Sequence, residues 1–159
     1  MVITYRDIVH GEEKNVCDLI IECFDEFVAP DFSQEGINEF SKYVIPDSLR
    51  SRLENNHFIL LALNGNYVVG IIEVGNNCHI SLLFVRKTYQ NQGIGKKLVE
   101  LAIERCLESN SYVMLIDVHS SLDAAPMYEK LGFKKDSDEQ TVNGIRFIPM
   151  TFKITNTNT

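Results

Sequence analysis

The stretch FVRKTYQNQGIGKKLVELAIERC, residues 84–106, decides the fold. An apolar end gives way to a polar run, then to two glycines spaced G-x-G, then to a long amphipathic segment. Gly93 and Gly95 leave the backbone bare where a helix begins. Ile94, Leu98, Leu101, Ala102 and Cys106 then recur on one helical face. Amide N–H groups at a helix start sit at the positive end of its dipole and attract anions. The flanking residues must say which anion.

Two nucleotide loops can be set aside. A phosphate loop of NTPases needs G-x-x-x-x-G-K-[ST], but Gly95 is followed by Lys96 and Lys97 with no hydroxyl for magnesium. A dinucleotide fingerprint needs a third glycine, where this chain has Leu98, and a place after the first strand of a βαβ unit. A plain glycine-rich helix entry remains the structural alternative.

Outward from the loop, the strand at residues 78–86, the helix at 94–109 and the strand at 112–118 make one β-α-β crossover, hence a parallel pair. YVMLIDV (112–118) is nearly continuous in apolar residues, the pattern of a strand buried on both faces. Upstream, HFILLAL and YVVGIIEVG flank NGN and read as a hairpin. VITYRDI alternates as a first strand. Val16, Leu19, Ile20, Phe24 and Phe27 have helical spacing; INEFSKYV is a second helix and PDSLRSRLEN a candidate third. Downstream, SSLDAAPMYEKLGF is a short helix closed by Gly132. FKK and IRFIPMTFKI form a last antiparallel pair, with DSDEQTVNG connecting them. The order is β-α-α-β-β-β-α-β-α-β-β. It predicts a mixed, twisted sheet of about seven strands flanked by four or so helices, in a single domain over residues 1–154. The tail TNTNT (155–159) has nothing to pack and reads as disordered.

The bulk properties agree. The chain has 159 residues, 45% of them hydrophobic, enough for one core. Fifteen basic against 22 acidic residues give a formal charge of −7, which argues against nucleic-acid binding. No apolar run is long enough to span a membrane, and the N-terminus lacks a signal-peptide pattern, so a cytoplasmic home is expected. Cys17, Cys23, Cys78 and Cys106 show no paired spacing and read as buried, inert thiols; no metal is expected.

Gln90-Asn91-Gln92-Gly93-Ile94-Gly95 has the spacing [Q/R]-x-x-G-x-[G/A]. It closely resembles the pyrophosphate loop of the GNAT superfamily of N-acetyltransferases. The segment 120–135 is similar to that family's N-x-x-A-x-x-L-Y-x-K-x-G-F pattern: Ala124 takes the Ala position, Met127 the Leu, Tyr128 the Tyr, and Gly132-Phe133 the terminal pair. Ser121 stands where the family has Asn, with a shorter reach. Both motifs in order are far more specific than either alone. The resemblance covers roughly residues 58–154, and the first 57 match in layout only.

The resemblance implies a GNAT-type α+β or α/β fold and acetyl-CoA as cosubstrate, without a metal. It implies that Gln90, Asn91, Gln92, Gly93, Ile94, Gly95 and Lys96 hold the pyrophosphate. A bulge in the fourth strand would splay it from the fifth, freeing the backbone of Leu83, Phe84 and Val85 for the pantetheine arm, with Ser121 and Tyr128 also at the cofactor. Tyr128 takes the place of the general acid for the leaving thiolate; the alternative is a Tyr that only packs there. His79 takes the place of a general base, with Ser81 on the same strand face; the alternative is a half-buried structural His. Glu73 is the reserve base, against the reading of an ion-paired strand residue. His10, His57 and His119 read as isolated, with His119 bordering the cleft. Asp25, Glu26 and Asp31 could attract an amine, and Phe24, Phe27 and Phe32 could line its pocket, or these are solvated acids and core aromatics. The activity implied is acetyl transfer to a primary amine, a small molecule first and a protein lysine or N-terminus second, by direct attack on the thioester. A non-catalytic acyl-CoA-binding regulatory module is the rival from another class. No nucleic acid or membrane partner is implied; a homodimer is allowed.

Overall fold

The computed structural model describes residues 2–109 and 112–154, apart from the side chain of Asn77. The tail expected to be disordered, 155–159, lies outside the described residues. In chain order the elements are β1 (Ile3–Asp7), α1 (Glu13–Phe27), α2 (Gln34–Tyr43), α3 (Pro46–Glu54), β2 (Phe58–Asn64), β3 (Tyr67–Val74), β4 (His79–Val85), α4 (Ile94–Ser109), β5 (Leu115–Ser120), α5 (Ala125–Lys130), β6 (Lys134–Lys135), β7 (Gln140–Val142) and β8 (Ile145–Lys153). The sheet order is β1-β2-β3-β4-β5-β8-β6, with β7 paired to β8. β4 and β5 run parallel, and the other described pairings are antiparallel.

Helices cover both faces. Ile59, Leu61 and Leu63 of β2 pack with Val16, Leu19 and Ile20 of α1. Leu60 and Ala62, one residue out of phase, pack with Leu98 and Ala102 of α4. That is why HFILLAL reads as an unbroken apolar run: each side of the strand meets a helix layer.

Two expectations need correction. YVMLIDV is not buried on both faces. β5 begins at Leu115, which is 50% exposed; Tyr112 and Met114 before it are exposed, and Ile116, Val118 and Ser120 form its buried side. The physical reason is that the α1–α3 layer ends at β4. Its core includes Leu82 and Phe84 and no residue of β5. DSDEQTVNG is also more than a connection. Gln140–Val142 pairs with Val142↔Ile145 closing a tight hairpin. Asn143 and Gly144 both have positive φ, 53° and 80°, as an Asn-Gly turn demands. Among the described residues there are therefore eight strands and five α-helices.

The β4–β5 junction positions the site. Pairing is confined to His79↔Asp117 and Ile80↔Val118. Beyond Ile80 the two strands part. On its other edge β4 pairs with β3, and the register slips there: Val74 faces Ile80 while Glu73 faces Leu82, so Ser81 is the extra residue of a β-bulge. A bulge bends and twists its strand. Ile80 packs in the α4-side core, Leu82 in the α1-side core, and Leu83 again on the α4 side.

Candidate active site

Two cavities meet where β4 leaves β5. The first, about 480 Å³, runs along the open edge of β4 to the glycine loop. Leu83, Phe84 and Val85 line it from the strand, Gln90, Asn91, Gly93, Ile94, Gly95 and Lys96 from the loop, and Ser121 from the far side. Gly93 takes φ +82° and Asn91 +62°, so the turn needs left-handed backbone at both. The Lys97 amide bonds to the Gly93 carbonyl at 3.0 Å, which makes Gly93 the helix entry. The Ile94, Gly95 and Lys96 amides lie in the first turn, without intrahelical acceptors. A Cβ on Gly93 would meet nothing within 4 Å, and one on Gly95 would come to 3.3 Å from the Met127 sulfur. The loop is thus open above and tight beneath, a fit for an anion resting on backbone amides.

Side chains brace this loop. Gln90 Nε2 donates to the Val85 carbonyl at 3.0 Å, and along β4 from Ser81 to Phe84 no pairing with β5 is described. Gln92 Nε2 turns back to the Thr88 carbonyl at 3.3 Å and does not line the cavity. Ser121 Oγ accepts from the Ala124 amide at 3.2 Å, so the hydroxyl that replaces the family's Asn closes the turn into α5. Tyr89, Phe27 and Met127 also line the cavity. Of these, Met127 fills the Leu position of the second motif and Phe27 is among the rings expected at the amine's pocket, while nothing in the sequence pattern marks Tyr89.

The second cavity, about 580 Å³, holds His79, Ser81, His119, Ser120, Tyr43 and Tyr128. It shares Leu83, Phe84, Ser121 and Ala124 with the first. Tyr128 is 2% exposed, and its ring packs edge-on to Phe133. Burial pushes its phenol well above its ordinary value of 10.0, so it stays protonated at any working pH.

His79 Nδ1 lies 3.0 Å from Asp117 Oδ2, its partner across the parallel pair. A carboxylate only accepts, so in the neutral ring Nδ1 carries the hydrogen and Nε2 is the basic nitrogen. His119 stands edge-on to His79 at 5.0 Å and stacks on Phe147 at 4.3 Å. Burial, and then the charge of His79, hold its imidazole below its ordinary value. His119 is therefore part of a cluster rather than isolated.

Glu73 is fully buried. Arg52 donates to both of its oxygens, at 2.6 and 3.0 Å, and His57 Nδ1 lies 2.8 Å from Oε2. The Tyr43 hydroxyl donates to the same oxygen at 3.4 Å. The reserve base is thus an ion-paired strand residue behind the cavity wall, and His57 is its partner, not an isolated side chain. Glu26 pairs with Lys87 at 3.1 Å and Asp31 with Arg146 at 3.7 Å; neither they nor Asp25 line the second cavity. Phe24 is core, Phe27 lines the first cavity and Phe32 the second. Cys17, Cys23 and Cys106 are buried; burial lifts the first two thiols to about 11. Cys78 departs from the expectation, half-buried with φ +59°. Among the described residues no group of three or more His, Cys, Asp or Glu is placed to hold a metal. None of the described helices is long and apolar enough to cross a membrane.

A family model described as "Acetyltransferase (GNAT) domain" matches residues 28–154. The chain belongs to the GNAT acetyltransferase family. It is 32% identical over 95 residues to a candidate acetyltransferase of Bacillus subtilis (strain 168), across 58% of this chain and 63% of that protein. The chain thus spans under two thirds of that relative's length. Solved structures show the same fold over nearly all of it. A GCN5-related N-acetyltransferase from Rhodopseudomonas palustris superposes with a TM-score of 0.79 at 20% identity, covering 97% of this chain and 99% of that one. The PaiA N-acetyltransferase of Thermoplasma acidophilum, in complex with coenzyme A, gives 0.77 at 21% identity, covering 97% and 100%.

Proposed function

We propose that this protein transfers an acetyl group from acetyl-coenzyme A to a primary amine, with a small molecule as the acceptor. One observation carries the reading. The bulge at Ser81 parts β4 from β5, and the gap joins the glycine-loop cavity to a second cavity lined by the Tyr128 phenol and the His79 imidazole.

In this reading the loop amides and Lys96 hold the pyrophosphate, and the pantetheine arm lies along Leu83 and Phe84. The acceptor's ammonium first gives up a proton to water, and the neutral amine nitrogen attacks the thioester carbonyl carbon. A backbone amide of β4 stabilises the oxyanion. The C–N bond forms, the C–S bond breaks, and the amine's proton passes to His79 Nε2. Asp117 keeps that nitrogen free by holding Nδ1–H. Tyr128 gives its phenolic proton to the departing thiolate and is reprotonated from solvent.

Gly95→Glu tests the cofactor half. An acid in the first turn favours the helix, so the fold should persist, while charge and bulk meet the pyrophosphate. Calorimetric titration should show coenzyme A binding lost in a folded variant. Wild-type affinity there would sink the assignment. Thiol release from acetyl-CoA with amines tests the reaction; coenzyme A binding without turnover of any amine would leave the binding-module reading instead.

A further inference from the structure

Resting on the acetyltransferase reading, we propose that the acceptor is a singly charged primary amine carrying an aromatic ring on a short chain. Three observations on the acceptor cavity point there.

The first is its walls. Phe32, Phe40, Phe84 and Phe147 line it, together with the rings of Tyr43 and His119. They come from α2 and the segment before it, from β4, β5 and β8. Stacked and edge-on ring pairs already run through this wall: Phe40 with Phe84 at 6.2 Å, and His119 with Phe147 at 4.3 Å. A further ring entering the space would add to both kinds of contact, and an ammonium over these faces is attracted by them.

The second is charge. Among the described residues lining the cavity, Glu39 is the one carboxylate and Arg146 the one guanidinium. Glu39 already pairs with Lys42 at 3.2 Å, and Arg146 with Glu139 at 2.8 Å and Asp31 at 3.7 Å. A polyamine or an aminoglycoside would bring several cations to one engaged acid. A carboxylated acceptor would meet one engaged cation. A single amine needs neither.

The third is closure. The Ser33 amide donates to the Gly144 carbonyl at 3.1 Å, joining the start of α2 to the β7–β8 turn. The approach is so close that a Cβ on Gly36 would lie 2.3 Å from the Gly144 oxygen, and one on Gly144 2.0 Å from Ser33 Oγ. Both joined segments border the cavity, through Phe32 and Phe40 on one side and Val142, Asn143 and Ile145 on the other. The clasp fixes these two walls against each other, and the narrowing on that side favours a compact amine over an extended peptide.

The test compares 2-phenylethylamine, butylamine, spermidine and a free-amine tetrapeptide in steady-state thiol release from acetyl-CoA. The expected result is kcat/KM for 2-phenylethylamine on the order of tenfold or more above each of the others, the worth of one good ring contact. In Phe32→Leu the ratio of 2-phenylethylamine to butylamine should fall toward one with the KM for acetyl-CoA unchanged. Spermidine or the peptide as best acceptor would overturn the inference and leave the acetyltransferase reading standing. Calorimetry of 2-phenylethylamine with the coenzyme A-saturated protein separates the rest. Binding without turnover would support this ligand class and overturn the enzyme reading. Coenzyme A binding with no 2-phenylethylamine binding or turnover would overturn the inference alone.

Discussion

Tyr128 and His79 line one cavity, a buried phenol and an imidazole held by a carboxylate. Burial keeps the phenol protonated, and the Asp117 carboxylate keeps one imidazole nitrogen bare. Tyr128→Phe keeps the ring against Phe133 and removes only the proton donor. Stability should hold within about 1 kcal/mol, the net worth of a hydrogen bond, while kcat falls roughly 10²-fold with KM for acetyl-CoA little changed. Normal kcat would remove Tyr128 from the reaction and leave it as packing. Asp117→Asn makes a subtler change. An amide can accept from Nδ1–H or donate to bare Nδ1, so it no longer selects the tautomer. A loss of kcat of about tenfold is expected, and nitrogen NMR of the imidazole should show both tautomers; one tautomer in the variant would end the positioning role. The family resemblance points to Tyr128, through its motif, and to His79, counted back from the loop, as expectations that these variants test. The sequence carries nothing of Asp117, because the partnership depends on which residues face each other across a parallel pair, and local pattern does not encode that register.

At the scale of elements, periodicity located the helices and the inner strands well, since each strand from β2 to β4 meets helices on both sides. It failed at β5, where the same apolar run borders a cleft: apolar composition reports what a surface can bury, not whether a layer reaches it. It also missed β7, although Asn143-Gly144 is a hairpin turn signal, because three exposed residues show no alternation to match. The glycine that matters most to the acceptor side, Gly36, gave no sign of its role. It sits in the first turn of α2, where Gly→Ala ordinarily adds up to about 1 kcal/mol to a helix. Here the new methyl would run into the Gly144 carbonyl, a backbone atom. Gly36→Ala should therefore lower stability by roughly 1–3 kcal/mol, the cost of overpacking. It should also raise KM for the acceptor while leaving KM for acetyl-CoA in place, and expose the β7–β8 turn to proteolysis. A gain in thermal stability would show that the clasp is loose.

Over the whole molecule, the N-terminal helical layer is tied to the sheet at a buried charged point, besides the ion pairs nearer the surface. Glu73 on β3 holds Arg52 of α3, Tyr43 of α2 and His57 of the connection to β2 through its two oxygens. Arg52 in turn donates to the Tyr43 carbonyl at 2.6 Å and lies 3.5 Å over the Tyr43 ring. Glu73 is fully buried and the Arg52 side chain is 13% exposed, so neither charge can turn to water if the other goes. Removing one member of such a pair leaves an uncompensated buried charge, which costs about 3–5 kcal/mol, whereas replacing both by apolar groups of similar size is often neutral. Glu73→Gln should therefore lower Tm by roughly 6–20 °C for a domain of this size. The double variant Glu73→Leu/Arg52→Met should recover most of that loss. Because Tyr43 lines the second cavity, the proposed acceptor site, while the glycine loop lies outside this network, Glu73→Gln should weaken acceptor use and spare coenzyme A affinity. Urea unfolding together with coenzyme A titration reads both. A variant with near-native stability but abolished turnover would instead place Glu73 in the proton path and reopen its claim as the base.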